Sequence, residues 1–381
     1  MATTKIGTPE LFDFSATNTA LQLPTGTTAQ RPTSPSTGEW RFNTTEKYVE
    51  YYDGGAWRQI DTDAPYDGTT YLSMIEYAGN NSSDRDITGV GFDPDLTIVK
   101  NKGAGESWGW GDTVRGGGYI IYSNLTNGQT SSAYVTPSAV TDGFKISTGN
   151  NNYVGNNYIA YNFKAGGSAT NITSSSTGVS AASRSANATS GFSIVTYTMS
   201  STTVAIPHGL SSTPKLAIVK KTNSTSDWFW YNTVVPGKGR GYFPSAGVFD
   251  NSGVPTFGAT DLSFQDSDPF SSGSAVVYFF ADVAGAQQVG IYTGQGTSTA
   301  TVNTGFSPRF LIIKNTDGTN SWVVFDSSRQ TSNPREALFL DATAGQAGGY
   351  GLNFLSNGFE VTANVGEVNT LNDVYTYLAI A

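Results

Sequence analysis

The chain has no cysteine and only one histidine in 381 residues. The first absence excludes disulfides, thiolate catalysis and cysteine-ligated metals. The second leaves His208 as the sole base for a Ser-His-Asp set, which disfavours a hydrolase of that kind and a catalytic zinc site. Charge is scarce as well. Asp, Glu, Lys and Arg together make up 13% of the residues, and the formal net charge is −9. No basic cluster is available to face phosphates, so nucleic-acid binding is not expected. There is no apolar run of about 18 residues, and Met1-Ala2-Thr3-Thr4-Lys5 does not open an apolar leader. Neither membrane insertion nor a signal peptide is expected, and synthesis is placed in a cytoplasm. Apolar residues at 3.6 spacing among helix formers are missing too.

What is present points to turns and strands. Gly numbers 44 and aromatic residues reach 13%, a combination that a disordered chain would not carry. Gly, Asn, Ser and Asp supply turns, while Val, Ile, Thr, Tyr, Phe and Trp suit a pleated, half-buried surface. The expected fold class is all-β, and the length predicts several domains.

Residues 1–65 form a distinct head. Ala20-Leu21-Gln22-Leu23-Pro24 leads into Gly26-Thr27-Thr28-Ala29-Gln30-Arg31-Pro32-Thr33-Ser34-Pro35, which resists regular structure. Glu39-Trp40-Arg41-Phe42, Tyr48-Val49-Glu50-Tyr51-Tyr52 and Ala56-Trp57-Arg58-Gln59-Ile60 then read as three short strands separated by turns. So small an apolar face predicts a module for attachment or oligomerisation that needs a partner surface.

The remainder carries one skeleton three times. Gly91-Phe92-Asp93-Pro94, Leu96-Thr97-Ile98-Val99-Lys100 and Trp108 make the first copy. Gly209-Leu210, Pro214, Leu216-Ala217-Ile218-Val219-Lys220 and Trp228 make the second. Gly305-Phe306-Ser307-Pro308, Phe310-Leu311-Ile312-Ile313-Lys314 and Trp322 make the third. Pro and Lys are six apart and Lys and Trp eight apart in every copy. Each copy closes on an aromatic strand, near Tyr161, Tyr278 and Tyr377, and opens near Tyr77, Tyr197 or Tyr292.

The Pro begins a central strand, the Lys ends it at solvent, and the Trp returns the chain to the core. The expected architecture is an N-terminal hairpin or meander module followed by three tandem antiparallel β-sandwich repeats of jelly-roll type. Their spans are 70–165, 191–284 and 286–381, with a Ser/Gly/Ala/Thr-rich linker at 166–190.

Candidate chemistry is thin. His208 aligns with turn residues of the other copies and reads as a surface turn. The pairs Asp61 and Asp63, Asp93 and Asp95, and Asp266 and Asp268 would suit glycoside hydrolysis, but they sit in turn contexts and none recurs. Asp112-Thr113-Val114-Arg115 and Asp326-Ser327-Ser328-Arg329 share a D-x-x-R pattern that reads as a brace, with Asn232 in place of the Asp in copy two. Trp108, Trp228 and Trp322 recur in register and read as core. Trp110 and Trp230 do not recur in copy three, where Val324 stands, so they are the candidates for stacking on a sugar ligand. No catalytic residue, metal site or cofactor is expected.

The head stretch from Leu21 through Arg31-Pro32, Pro35, Gly38 and Arg41-Phe42-Asn43-Thr44-Thr45 to Tyr51-Tyr52-Asp53-Gly54-Gly55-Ala56-Trp57 resembles a module widespread in tail-fibre and other virion proteins of tailed phages, especially marine and cyanobacterial ones. The repeats resemble an uncharacterised phage domain that often follows it. These resemblances imply a structural virion component, a tail fibre or short appendage acting in host attachment. They imply a homotrimer that joins other tail or capsid proteins through the N-terminal module, with a host-surface glycan as a further partner. A capsid-surface decoration or a baseplate part stays open.

Overall fold

The central strand Leu96–Asn101 is buried at every position, which requires cover on both faces of its sheet. Leu216–Lys221 and Phe310–Asn315 repeat this burial, apart from Lys221 at one end. That single property sets the architecture. The computed structural model describes residues 23–45, 48–59, 70–103, 105–132, 134–149, 151–264 and 273–381. Ala20, Leu21, Ile60, Asp61, Asp63, Asp266 and Asp268 lie outside the described residues. The chain divides into two compact units, Met1–Pro65 and Tyr66–Ala381.

In the smaller unit the three expected strands appear as Trp40–Asn43, Tyr48–Tyr52 and Trp57–Gln59, paired antiparallel. A fourth, Thr25–Gly26, pairs parallel to the first of them. The unit buries charge as well as apolar surface. Glu50 is buried, with Arg31 at 2.6 Å, Arg41 at 3.3 Å and the Asn43 amide at 3.1 Å. Arg41 also donates to the carbonyls of Gln30 and Thr27, tying the Pro-rich stretch to the sheet. Burial pushes the Glu50 carboxyl up, but hydrogen bonds from Arg31 and Asn43 and the charges of Arg31 and Arg41 outweigh it and hold the group low.

Removing one partner of a buried ion cluster strands the others. Glu50→Ala should therefore cost about 3 kcal/mol. That is enough to speed amide exchange of strands Trp40–Asn43 and Tyr48–Tyr52 roughly a hundredfold, with no change beyond residue 66. Unchanged exchange in those strands would assign the stability of the unit to something else.

In the larger unit each copy does form a two-layer antiparallel sandwich. The inner layer has a common order of five strands: opening, closing, central, the one that starts at or just after the recurring Trp, and one more. In the first copy these are Leu72–Ala78, Asn157–Phe163, Leu96–Asn101, Gly109–Asp112 and Tyr119–Tyr122. In the second they are Phe192–Met199, Ser274–Phe280, Leu216–Lys221, Trp228–Asn232 and Arg240–Phe243, and in the third Gln287–Thr293, Val374–Ile380, Phe310–Asn315, Val323–Asp326 and Arg335–Phe339. The outer layers pair Arg85–Thr88 with Gly143–Ile146, Val204–Pro207 with Asp261–Phe264, and Ala300–Asn303 with Gly358–Val361. In the third copy the two layers join through Ala347–Leu355 into one eight-stranded sheet.

Alternation along each inner strand makes two apolar faces. Val99, Ala217, Val219, Leu311 and Ile313 face their own sandwich interiors. Leu96, Ile98, Leu216, Ile218, Phe310 and Ile312 face a second core, to which all three copies contribute. The three inner sheets thus enclose one common apolar centre, so the copies are not independent tandem domains. They form a closed ring within one unit.

Two further expectations are corrected. The segment expected as a linker at 166–190 holds the strands Thr170–Asn171 and Val179–Asn187, the latter paired along the opening strand of the second copy. Its small side chains suit a narrow site rather than a flexible tether. The recurring lysines do not end their strands at solvent either, because Lys100, Lys220 and Lys314 are fully buried. They share strand parity with the residues of the common core, which places them on the inward face.

Recurrence of Gly before the central strand has a backbone cause. Gly91, Gly209 and Gly305 have φ of 91°, 74° and 83°, a region that disfavours side chains. The turn drops Phe92, Leu210 and Phe306 into the sandwich cores before the Pro starts the strand.

Candidate functional site

The sequence-selected residues converge on the seams between copies. Trp108, Trp228 and Trp322 are fully buried in the common core. Each indole N–H donates to a carbonyl of the preceding copy around the ring. Trp108 reaches Phe339 at 2.6 Å, Trp228 reaches Tyr122 at 3.0 Å and Trp322 reaches Tyr242 at 2.8 Å. A buried indole needs such a partner, and here the partner lies across a seam.

The lysines follow the same direction. Lys100 donates to Glu106 and Thr343 carbonyls, Lys220 to those of Thr126 and Ser226, and Lys314 to those of Ala246, Asn315 and Gly318. Thr343, Thr126 and Ala246 each belong to the preceding copy. Burial pushes all three ammonium groups down to about 8. At neutral pH each remains a charged donor, and its carbonyl acceptors hold two loops together.

Trp110 and Trp230 are not exposed for a ligand. They are buried in the common core, where Trp110 lies 5.0 Å from Trp228 and Trp230 lies 5.0 Å from Trp322, ring centre to ring centre. Strand parity explains this correction. Each sits two residues beyond its recurring Trp, hence on the same inward face. Val324 occupies the matching place at the third seam, so the ring closes there with a smaller side chain.

The D-x-x-R pattern is a brace, as read, and it also spans seams. Arg115 Nε lies 2.5 Å from Asp112 Oδ2, and that oxygen accepts the Tyr278 hydroxyl of the second copy at 2.7 Å. Arg329 Nε lies 2.5 Å from Asp326 Oδ2, which accepts the Tyr161 hydroxyl of the first copy at 2.7 Å. Burial, with the nearby Asp, raises both phenols well above their usual range, so each is a neutral donor. At the remaining seam Asn232 replaces the Asp, Val235 the Arg and Leu378 the Tyr. All three members of the set change together.

His208 is a turn residue but not a surface one. It is buried, its Nδ1 accepts the Leu210 amide at 3.1 Å, and its ring lies 5.9 Å from Phe279. Burial lowers its pKa below the usual imidazole range. The unfolded chain therefore binds more protons than the folded one once pH falls below about 6.5, and stability drops as pH falls through that window. His208→Gln should flatten this part of the stability profile between about pH 5 and 7, measured by urea unfolding. An unchanged slope would remove His208 from the acid response.

Among the described carboxylates, Asp95 is buried and fully engaged. One oxygen accepts the Thr113 hydroxyl at 3.0 Å, and the other accepts the amides of Ala165 and Gly167 at 2.8 and 3.1 Å. Asp93 accepts the Asp142 amide at 2.7 Å. Both thus act in loop closure, the turn role expected of them. No group of three His, Asp or Glu suited to a metal occurs among the described residues.

Among the clefts of the larger unit, one of about 550 Å³ lies between copies three and one, and one of about 210 Å³ lies between copies one and two. Asp93 and Asp95 line a further one of about 490 Å³ together with Thr113, Lys164 and Gly167. A family described as a domain of unknown function, DUF7483, matches residues 67–381. The chain belongs to the DUF7483 family. A comparison with curated proteins finds no match. The DUF7483 match begins within two residues of the larger unit and takes in all three copies. This agrees with a shared core that makes the ring, and not the single repeat, the folding unit. Sequence reasoning missed Tyr161, Tyr278 and the lysine cages. The available signal was strand parity, which places Lys100, Trp108 and Trp110 on one side of their sheet.

Proposed function

We propose that the protein is a structural component of a virus particle, a tail fibre or short appendage that contributes to attachment at the host surface. The observation that carries this reading is the closed pseudo-three-fold body. A single chain sets three near-equivalent sandwiches around one axis and spends its distinctive Lys, Trp and Asp-Arg residues on the seams. Such a body suits a mechanical load and a three-fold assembly better than it suits a reaction. The head motif, with its Arg31, Arg41 and Glu50 cluster, resembles phage fibre modules and supports the same reading. In this proposal the head joins the chain to the particle and to its neighbours in a homotrimer. Host glycans are met by polar loop tips, and weak contacts sum through multivalency.

Antibody against residues 286–381, viewed on intact particles by electron microscopy, tests the proposal. Label at the distal ends of tail appendages is the expected result. Label spread over the capsid, or none before the particles are disrupted, would overturn the attachment role.

A further inference from the structure

The opening strand lies at the edge of the five-strand skeleton in each copy, and the chain treats the three edges differently. In the second copy Val179–Asn187 covers the edge, with Ser183 opposite Thr196 and Ser185 opposite Ile194. In the third, Gln287 bridges to Val283 and the Val289 amide donates to Asp282 at 2.9 Å, closing the first part of the edge locally. In the first copy Leu72–Ala78 ends its sheet without a further strand among the described residues.

The hydrogen-bond phase of that strand is fixed at both ends. Lys164 donates to the Tyr71 carbonyl at 2.9 Å and the Gly79 amide to Asn156 at 2.8 Å, so odd-numbered residues bond inward. Leu72, Met74, Glu76 and Ala78 therefore point their backbone groups outward. Arg309 takes the Leu72 carbonyl at 2.9 Å and Arg85 takes that of Ala78 at 2.6 Å. The N–H and C=O groups of Met74 and Glu76 have no strand partner among the described residues. Aligning Tyr77 with Tyr197 places Met74 at Ile194 and Glu76 at Thr196, the positions that Ser185 and Ser183 pair in the second copy.

The space beside the two edges differs in the same sense. Between copies one and two, Ala181 to Ser183 fill the seam next to Val114 and Arg115, leaving a cleft of about 210 Å³. Between copies three and one, Ser73 and Met74 face Ser327 and Ser328 across about 550 Å³. Ser328 stands where Val114 stands in the filled seam.

We propose that this cleft is a strand-docking site that takes an extended segment of another polypeptide chain, pairing antiparallel with Leu72–Ala78. Unpaired edge groups and an adjoining groove are what strand addition requires. The filled seam states the chemistry of the occupant, which is short uncharged side chains such as Ser and Ala at positions facing the groove. Glu76 is the only charge on the receiving strand, and Lys102 pairs with it, so uncharged side chains at the groove-facing positions meet no unbalanced charge. A second copy of this chain is a poorer donor, because its own segment of this kind is already paired.

The test uses the full chain and a synthetic peptide with the nine-residue sequence of Val179–Asn187, followed by amide exchange. Saturating peptide should slow the Met74 and Glu76 amides roughly tenfold or more, without effect at Ile194 and Thr196. The same peptide with Pro at the positions of Ser183 and Ser185 should do nothing. Glu76→Pro should abolish the effect and move the thermal midpoint of the protein little, because that N–H has no strand partner among the described residues and the Glu76–Lys102 pair it removes is partly exposed. No slowing at saturation, or slowing that the Pro peptide reproduces, would overturn the proposal. So would concentration-dependent self-association that protects the same two amides without peptide, which would make a second copy the occupant.

Discussion

Trp228→Ala should lower the stability of the whole larger unit by about 4 kcal/mol and do so in a single transition. The indole is fully buried, and its ring centre lies 5.0 Å from Trp110 in the first copy and 5.3 Å from Phe243 in its own. Truncation removes that packing, opens a cavity in the common core and leaves the Tyr122 carbonyl without its donor across the seam. The core is built from all three copies, so the loss is not confined to the second. Calorimetry of Trp108→Ala, Trp228→Ala and Trp322→Ala should show one endotherm shifted down in each case. A second endotherm, with two copies still melting at the original temperature, would refute the shared core. Trp110→Ala and Trp230→Ala should act in the same way, as stability variants.

Much of this was legible in the sequence. The all-β class followed from turn formers set among aromatic and β-branched residues. The three copies followed from the fixed Pro, Lys and Trp spacing. What the spacing did not carry was the direction in which Lys100, Lys220 and Lys314 point. A lysine after an apolar run reads as a strand end, because an isolated buried ammonium is costly. Carbonyls from another copy remove much of that cost, and they come from residues more than sixty positions distant in each case. The same long range hid the roles of Trp110 and Trp230. Val179–Asn187 was obscured for a different reason: a strand that fits a narrow seam has the Ser and Ala composition of a linker. The head network was also out of reach, since Arg31, Arg41 and Glu50 meet only once the Pro-rich stretch folds over the sheet.

The seam between the second and third copies supplies a comparison that a single structure rarely offers. Asp326→Ala should cost about 3–5 kcal/mol, because it strands the buried Arg329 guanidinium and removes the acceptor of the Tyr161 hydroxyl. It also frees the amides of Ser328 and Arg329, which Asp326 Oδ1 accepts at 3.0 and 2.8 Å. Where Asn232 stands, the side-chain oxygen still accepts the turn amides of Val234 and Val235, at 3.1 and 2.9 Å, and no guanidinium needs a counter-charge. Asn232→Ala should accordingly cost only about 1–2 kcal/mol. The natural replacement at that seam is a complete set, with Asn, Val and Leu for Asp, Arg and Tyr. Installing it elsewhere, as Asp326→Asn with Arg329→Val and Tyr161→Leu, should recover at least half of the Asp326→Ala loss. An apolar substitute for a whole buried ion cluster is commonly tolerated, whereas half a cluster is not. Urea unfolding of the single and triple variants decides the matter. A triple variant as unstable as Asp326→Ala would mean that the aromatic volume of Tyr161, packed 5.1 Å from Phe310 and 6.2 Å from Trp108, carries the seam and the ion pair does not.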